Sequence, residues 1–180
     1  MYTVEHSFEV GVAPDQVFAW LTDLENLPRF QGGVFNSEVL TPPPTRVGTR
    51  YRETFKLMGF VRMVAECEVI EMKPPRVFGF SANGRQMDYQ SRFTLEPAPG
   101  GTRIAHKATV TMHGIWKLLG PMVKAEGDRE TMAEHQRLKA AIESDFGVNR
   151  TPAVASAQSG RSGTAEILSP PPRLHLGGNK

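Results

Sequence analysis

Residues 87–96 read MDYQSRFTLE, and residues 103–112 read RIAHKATVTM. In both segments apolar side chains alternate with polar or charged ones, which is the period of a β-strand with one buried face and one face in water. The residues between them, PAPGGT, are rich in Pro and Gly and favour a turn. The two segments therefore predict an antiparallel hairpin, and this two-faced pattern is typical of a sheet that covers a core on one side.

The same alternation extends in both directions from this hairpin. Turn-forming residues, including Asn83-Gly84, divide the stretch from Val34 to His113 into six predicted strands. Another strand is predicted from Val4 to Val12, and two short helices are predicted between it and the second strand, one over residues 14–22 and one within residues 23–33.

Residues from about 121 to 146 contain good helix formers and predict one long helix. Its apolar residues are Met122, Val123, Met132, Ala133, Leu138, Ala141, Ile142 and Phe146. This order of elements predicts an α+β fold, in which a curved seven-stranded antiparallel sheet wraps around the long C-terminal helix. Because one helix rarely fills a concave sheet, we expect a cavity between the two, and such cavities are common ligand sites.

The composition changes after Phe146. Residues 147–180 lack Phe, Trp and Tyr and hold 5 Gly, 4 Pro and 4 Ser among 34 positions. Such a segment buries too little apolar surface to offset its ordering entropy. We therefore expect a folded ligand-binding domain over residues 1–146 and a disordered Gly/Pro/Ser-rich tail over residues 147–180.

Charge and cysteine content exclude several classes of protein. Of 21 basic and 19 acidic residues, four basic and one acidic lie after Phe146, which leaves 17 against 18 in the predicted domain. A domain so close to neutral does not favour nucleic acid as a partner. Cys67 is the only cysteine, so no internal disulfide forms, and no apolar stretch is long enough to span a membrane. We expect a cytoplasmic protein without a transmembrane segment.

Four short segments resemble the START-like (SRPBCC) superfamily. They are VAPDQVFAWLTD at 12–23, VIEMKPP at 69–75, GGTRI at 100–104 and Leu138-Lys139 in the predicted helix. Their order and spacing are similar to those of helix-grip proteins, including polyketide cyclase/dehydrase-like and coenzyme-Q-binding-like members. The resemblance covers nearly all of residues 1–146. It implies a hydrophobic small-molecule cavity, while the activities of the superfamily range from lipid carriage to cyclisation, dehydration and co-chaperone work.

The strand phases and the predicted helix point a set of side chains into the expected cavity. The candidate ligand-binding residues are Phe55, Met63, Cys67, Met87, Tyr89, Ser91, His106, His135 and Leu138. Glu53 has the same inward phase, and a carboxyl group in an apolar cavity has its pKa raised by desolvation. Glu53 and His106 are therefore the candidate catalytic acid and base, with a structural hydrogen-bonding role as the alternative.

No cofactor or metal site is predicted. His6, His106 and His135 have no short spacing typical of metal ligands, and the chain has no nucleotide-binding or serine-hydrolase motif. Cys67 has an apolar phase that favours a core thiol over a nucleophile. Arg50, Arg52, Lys56 and Arg62 have an outward phase and allow transient contact with a membrane surface. Glu66 and Glu68 lie on the same face, and this mixture of charges favours a solvent-exposed face over one that contacts a membrane.

Three functions are open at this point. The first is the binding or carriage of a small hydrophobic or amphipathic ligand, such as a lipid, an isoprenoid or a polyketide-like compound. The second is a cyclase or dehydratase in which Glu53 and His106 transfer protons. The third is a protein-interaction module or chaperone accessory that uses the outer face of the sheet. The first is preferred because neither Glu53 nor His106 lies in a motif whose geometry demands chemistry.

Overall fold

The computed structural model describes residues 1–57, 61–85, 87–114, 117 and 120–148. Its strands and helices follow the predicted order. The strands are β1 (Tyr2–Val10), β2 (Val34–Val39), β3 (Arg50–Leu57), β4 (Val61–Lys73), β5 (Val77–Asn83), β6 (Met87–Ala98) and β7 (Gly101–Met112). The helices are α1 (Pro14–Thr22), the one-turn α2 (Leu27–Phe30) and α3 (Gly120–Asp145). The predicted tail lies, from residue 149 onward, outside the described residues.

The seven strands form one curved antiparallel sheet in the order β1-β7-β6-β5-β4-β3-β2. The opening hairpin is β6 and β7, which pair from Met87 with Met112 to Ala98 with Gly101. The register shifts between Val69 and Glu71 in β4, where Ile70 is 41% exposed. An extra residue of this kind bends a strand and increases its twist, which helps the sheet to curve. The α+β helix-grip prediction is confirmed.

The core lies between the inner face of the sheet and the helices. Phe93, Leu95 and Ile104 project inward from the opening hairpin and are at most 1% exposed, as are Leu138 and Ile142 of α3. Burial of such side chains contributes about 2 kcal/mol each through removal of apolar surface from water. The alternation in the sequence therefore predicts the buried face of the sheet correctly.

Two apolar residues of the predicted helical segment are exposed. Met132 is 57% exposed, because it is turned about 120° around α3 from Leu138. Phe146 is 40% exposed, because α3 ends at Asp145 and Phe146 lies beyond its last turn. The buried stripe of α3 is thus narrower than its apolar content suggests.

Polar contacts attach the end of α3 to the first two helices. Trp20 Nε1 donates to Asp145 Oδ2 at 2.8 Å, and the Arg29 guanidinium binds both Asp145 oxygens at 2.6 and 2.7 Å. These hydrogen bonds lower the pKa of Asp145 to about 2, so it is ionised at neutral pH. The contacts fix how α3 lies across the sheet, and therefore set the space left beside it.

Candidate functional site

A cavity of about 870 Å³ lies between the inner face of the sheet, the segment 31–34 and the part of α3 from Gly127 to Glu134. Three alanines from different strands line it and leave room for it: Ala65 of β4, Ala82 of β5 and Ala108 of β7. A sheet with large side chains at these positions would fill this space. The cavity is therefore a direct result of small residues on the inner face.

Most of the cavity wall is apolar. Of the predicted ligand-binding residues, five lie in the wall: Phe55, Met63, Cys67, Met87 and Tyr89. Val4 of β1 and Val110 of β7 add to the same surface. A thioether such as Met63 adapts to irregular apolar shapes, so the wall suits more than one hydrophobic ligand. That these residues bind ligand stays a prediction.

Glu53 lies in the cavity wall and is only 7% exposed. Its Oε2 accepts a hydrogen bond from Cys67 Sγ at 3.7 Å, and its Oε1 forms no hydrogen bond with any described residue. Burial raises the pKa of Glu53 to about 7, although the hydrogen bond from the Cys67 thiol lowers it. Glu53 thus has the inward phase expected from the sequence, and its role as a catalytic acid or base stays a prediction.

A second carboxyl group faces the same cavity from the helix. Glu134 of α3 lines the cavity. Burial raises the pKa of Glu134 to about 8. The charge of Arg137 opposes this rise, and the charges of Glu130 and Glu53 add to it. We call Glu53 and Glu134 the carboxyl cluster. Sequence reasoning missed Glu134, although it precedes Leu138 by four residues and so shares the buried side of α3.

Two tyrosines also line the wall. Tyr89 of β6 lines the cavity, and burial raises its pKa well above the usual range. Tyr2 of β1 also lines it, and the hydroxyl of Tyr2 reaches α3 at Gly127, where a Cβ atom would stand 2.7 Å from that oxygen. Both pKa values are raised, so both phenols remain protonated at neutral pH. Tyr2 was missed because the predicted strand began at Val4, two residues too late.

The remaining predicted site residues do not line the cavity. Ser91 Oγ is 2.9 Å from His106 Nε2, and His106 Nδ1 is 2.8 Å from His135 Nε2. We call these three residues the histidine chain. His106 is 1% exposed and stacks on Phe93 with ring centroids 4.2 Å apart. The inward phase is correct, but α3 packs directly on the sheet here, so Ser91, His106, His135 and Leu138 lie in the core.

The histidine chain is held in the uncharged state. Burial, with the charges of His135 and His6, lowers the pKa of His106 to about 3, and burial with the charge of His6 lowers the pKa of His135 to about 4. His6 is exposed, and its ring lies 5.9 Å from that of His135. The facing nitrogens of His106 and His135 bond to each other. Within the described residues, no three His, Cys, Asp or Glu side chains are arranged to hold a metal ion.

Two of the four outward basic residues, Arg50 and Arg52, are paired with acidic neighbours. Arg50 and Arg52 bind Glu66 at 2.6 and 3.0 Å, and Arg52 is 3.5 Å from Glu38. Such exposed pairs add little stability. They do leave this face with mixed charge, and contact of the face with a membrane surface stays a prediction. None of the described helices has the length and apolar character needed to cross a membrane.

A sequence profile of one protein family, described as polyketide cyclase / dehydrase and lipid transport, matches residues 1–143. The chain belongs to this family. The match covers both the sheet and nearly all of α3, and so includes every residue of the cavity described above. A comparison with curated proteins finds no match.

Solved structures of the same fold include proteins of several kinds. A START superfamily protein from Mycobacterium smegmatis has a TM-score of 0.68 at 15% identity, with 80% of this chain and 99% of that one covered. A protein from Thermus thermophilus has a TM-score of 0.66 at 21% identity, with 80% and 99% covered. The di-domain ARO/CYC StfQ from the steffimycin biosynthetic pathway has a TM-score of 0.60 at 14% identity, with 81% and 52% covered. At these identities the similarity establishes the fold alone.

Proposed function

We propose that this protein binds and carries a small hydrophobic or amphipathic molecule, such as a lipid, an isoprenoid or a polyketide-like compound, in the cavity beside α3. One observation carries the proposal: a cavity of about 870 Å³ whose wall is mostly apolar and also holds polar groups such as Glu53, Tyr89 and Glu134. Cavities of roughly 300–1,000 Å³ with this kind of wall are typical small-molecule sites. The family description, which includes lipid transport, supports the same class of ligand.

Filling the cavity tests this proposal. Ala65 lines the cavity, so Ala65→Phe places a ring in the space that a ligand needs. Ala105→Phe is the matched control, because Ala105 alternates with His106 on β7 and does not line the cavity. We expect the wild-type protein and the control to bind the fluorescent probe N-phenyl-1-naphthylamine, and Ala65→Phe to bind it at least about tenfold more weakly. Equal binding by all three proteins would contradict the proposal.

Mass spectrometry of the purified protein identifies the natural ligand class. Under native conditions we expect a bound hydrophobic molecule that is absent from Ala65→Phe and present in Ala105→Phe. A molecule retained by all three proteins would place binding elsewhere on the chain.

A second candidate function is catalysis of the cyclase or dehydratase type. The observation in its favour is Glu53, a cavity carboxyl group whose pKa lies near 7 and which can therefore act as acid or base at neutral pH. His106 is too deeply buried to act as its partner, so Tyr89 or Glu134 takes that place in this alternative. For an enzyme, Glu53→Gln lowers turnover of a polyketide-like substrate by about 100 to 10,000-fold with little change in affinity. A carrier shows no turnover to lose.

A further inference from the structure

One oxygen of Glu53 has no partner in the cavity wall. Glu53 is 7% exposed, and its Oε1 accepts no hydrogen bond from a described residue. The other oxygen, Oε2, meets only the weak donor Cys67 Sγ, at 3.7 Å. An unpaired buried acceptor is unfavourable, and native proteins rarely leave one without a role.

The groups around Glu53 do not neutralise its charge. The described part of the cavity wall carries two basic side chains, Lys56 and Arg85, and both are exposed. Neither forms an ion pair with Glu53. Glu134 adds a second carboxyl group from α3, and its own neighbour Arg137 is hydrogen-bonded to Glu130. Among the described residues, Glu53 therefore has no cationic partner in the cavity wall, and the basic residues of that wall, Lys56 and Arg85, are exposed to solvent.

We propose that the ligand buries an end that carries a hydrogen-bond donor, a hydroxyl or an amine, and that this donor binds Oε1 of Glu53. This inference rests on the proposed function, since it names the chemistry of the ligand in the same cavity. A donor at this position satisfies the unpaired oxygen while the apolar body of the ligand lies against Phe55, Met63 and Met87. An ionised carboxylate or phosphate does not fit there, because its charge would face that of Glu53 in a medium of low dielectric constant.

Two isomers test the donor directly. 1-Dodecanol and 1-methoxyundecane have the same formula, but only the alcohol has a donor. Each competes with N-phenyl-1-naphthylamine for the wild-type protein at pH 8, where Glu53 is mostly ionised. We expect the alcohol to bind roughly tenfold or more tightly than the ether, as for one hydrogen bond to a charged acceptor. Equal affinities would overturn the inference.

Glu53→Leu removes the acceptor and keeps a side chain of similar size. We expect the preference for the alcohol to fall to about twofold or less, because the bond to Oε1 is gone. Glu68→Leu is the matched control, because Glu68 is exposed on the neighbouring strand β4, and it keeps the full preference. A preference unchanged in Glu53→Leu would also overturn the inference. If Glu53→Leu does not fold, as judged by circular dichroism, the wild-type comparison of the two isomers decides alone.

Dodecanoate serves as the third ligand. Its charged head is expected to point to the solvent side, near Lys56 and Arg85, so Glu53→Leu leaves its affinity unchanged or improves it. A loss of dodecanoate affinity in Glu53→Leu equal to that of dodecanol would count against a donor-specific contact. If none of the three ligands displaces the probe, the proposed carrier function itself is wrong. Displacement without an alcohol preference contradicts only the inference about the donor.

Discussion

Two sets of buried polar groups lie on the inner side of the same sheet, and they differ in how their hydrogen bonds are satisfied. In the histidine chain, each group meets a partner within 2.9 Å, from Ser91 through His106 to His135. In the carboxyl cluster, Glu53 Oε1 meets none of the described groups. Glu53 and the histidine chain are both buried, yet only the carboxyl cluster lines the cavity.

The difference separates a structural role from a functional one. A fully bonded polar chain between sheet and helix offsets its own desolvation and fixes the position of α3. An unpaired carboxyl group destabilises the protein by itself, and such groups persist where a ligand or a reaction needs them. We therefore expect substitutions in the two sets to change stability in opposite directions.

The largest effect is expected from His106→Ala. The substitution removes a ring that is 1% exposed, stacks on Phe93 and bonds to two partners. Loss of a buried ring costs about 3 to 5 kcal/mol, and the groups left without partners add to this. Urea unfolding measures the change. His113→Ala is the control, because the side chain of His113 is partly exposed and is bonded to Asp88. A similar loss of stability in His113→Ala would mean that burial in the histidine chain does not cause the effect of His106→Ala.

Leu138→Ala sets the scale for a purely apolar contact in the same helix. Leu138 is 0% exposed and does not line the cavity, so its truncation should cost about 2 to 5 kcal/mol in urea unfolding. Met132→Ala is the control on α3 and should change stability by less than about 0.5 kcal/mol, since Met132 is exposed. A neutral Leu138→Ala would mean that the sheet and α3 do not share one core.

The sequence predicts the inner face of the sheet because a strand has a fixed period of two. Glu53 and His106 are both recognisable in this way as inward residues. Strand phase does not reveal that Glu53 faces a cavity whereas His106 faces α3. That distinction depends on where α3 crosses the sheet. Contacts between residues distant in sequence, such as those of Trp20 and Arg29 with Asp145, decide where the helix crosses.

The helix was harder to interpret than the strands. Glu134 lies among charged residues, a pattern that usually indicates a solvated face, and Met132 has an apolar side chain on the exposed side. Counting turns from Leu138 would have placed Glu134 inward and Met132 outward. The cavity could not be located from the sequence, because its wall combines small side chains from strands that are distant in sequence, Ala65 of β4, Ala82 of β5 and Ala108 of β7.

Glu53→Gln is expected to stabilise the protein at high pH. The folded-state pKa of Glu53 is raised from 4.5 to about 7, so the stability that this group contributes is present below pH 4.5 and is lost as pH rises through 7. Glutamine does not titrate. The variant should therefore gain about 2 kcal/mol over wild type at pH 8 relative to pH 5. Thermal or urea unfolding at the two pH values measures this gain.

A control variant and the histidine chain show whether the pH-dependent gain is specific to Glu53. Glu68→Gln is the matched control, because Glu68 lies on the exposed face of the neighbouring strand β4. The histidine chain has the opposite sign, because the pKa values of His106 and His135 are lowered, and its contribution is lost as pH falls below 6.5. Parallel profiles for wild type and Glu53→Gln would show that Glu53 is not in a desolvated site.

The smallest effect is expected from Ser91→Ala, at the end of the histidine chain. Ser91 is 1% exposed, and alanine keeps its size apart from the one oxygen that contacts His106 Nε2. Whichever of the two groups donates, one ring nitrogen loses its partner, at a cost of about 1 kcal/mol in urea unfolding. Ser7→Ala is the control, because Ser7 is an exposed residue of β1. Ser91→Ala should leave the alcohol preference of the cavity unchanged, because Ser91 does not line it. A changed preference with unchanged stability would assign the histidine chain to the ligand site and end the division between the two sets.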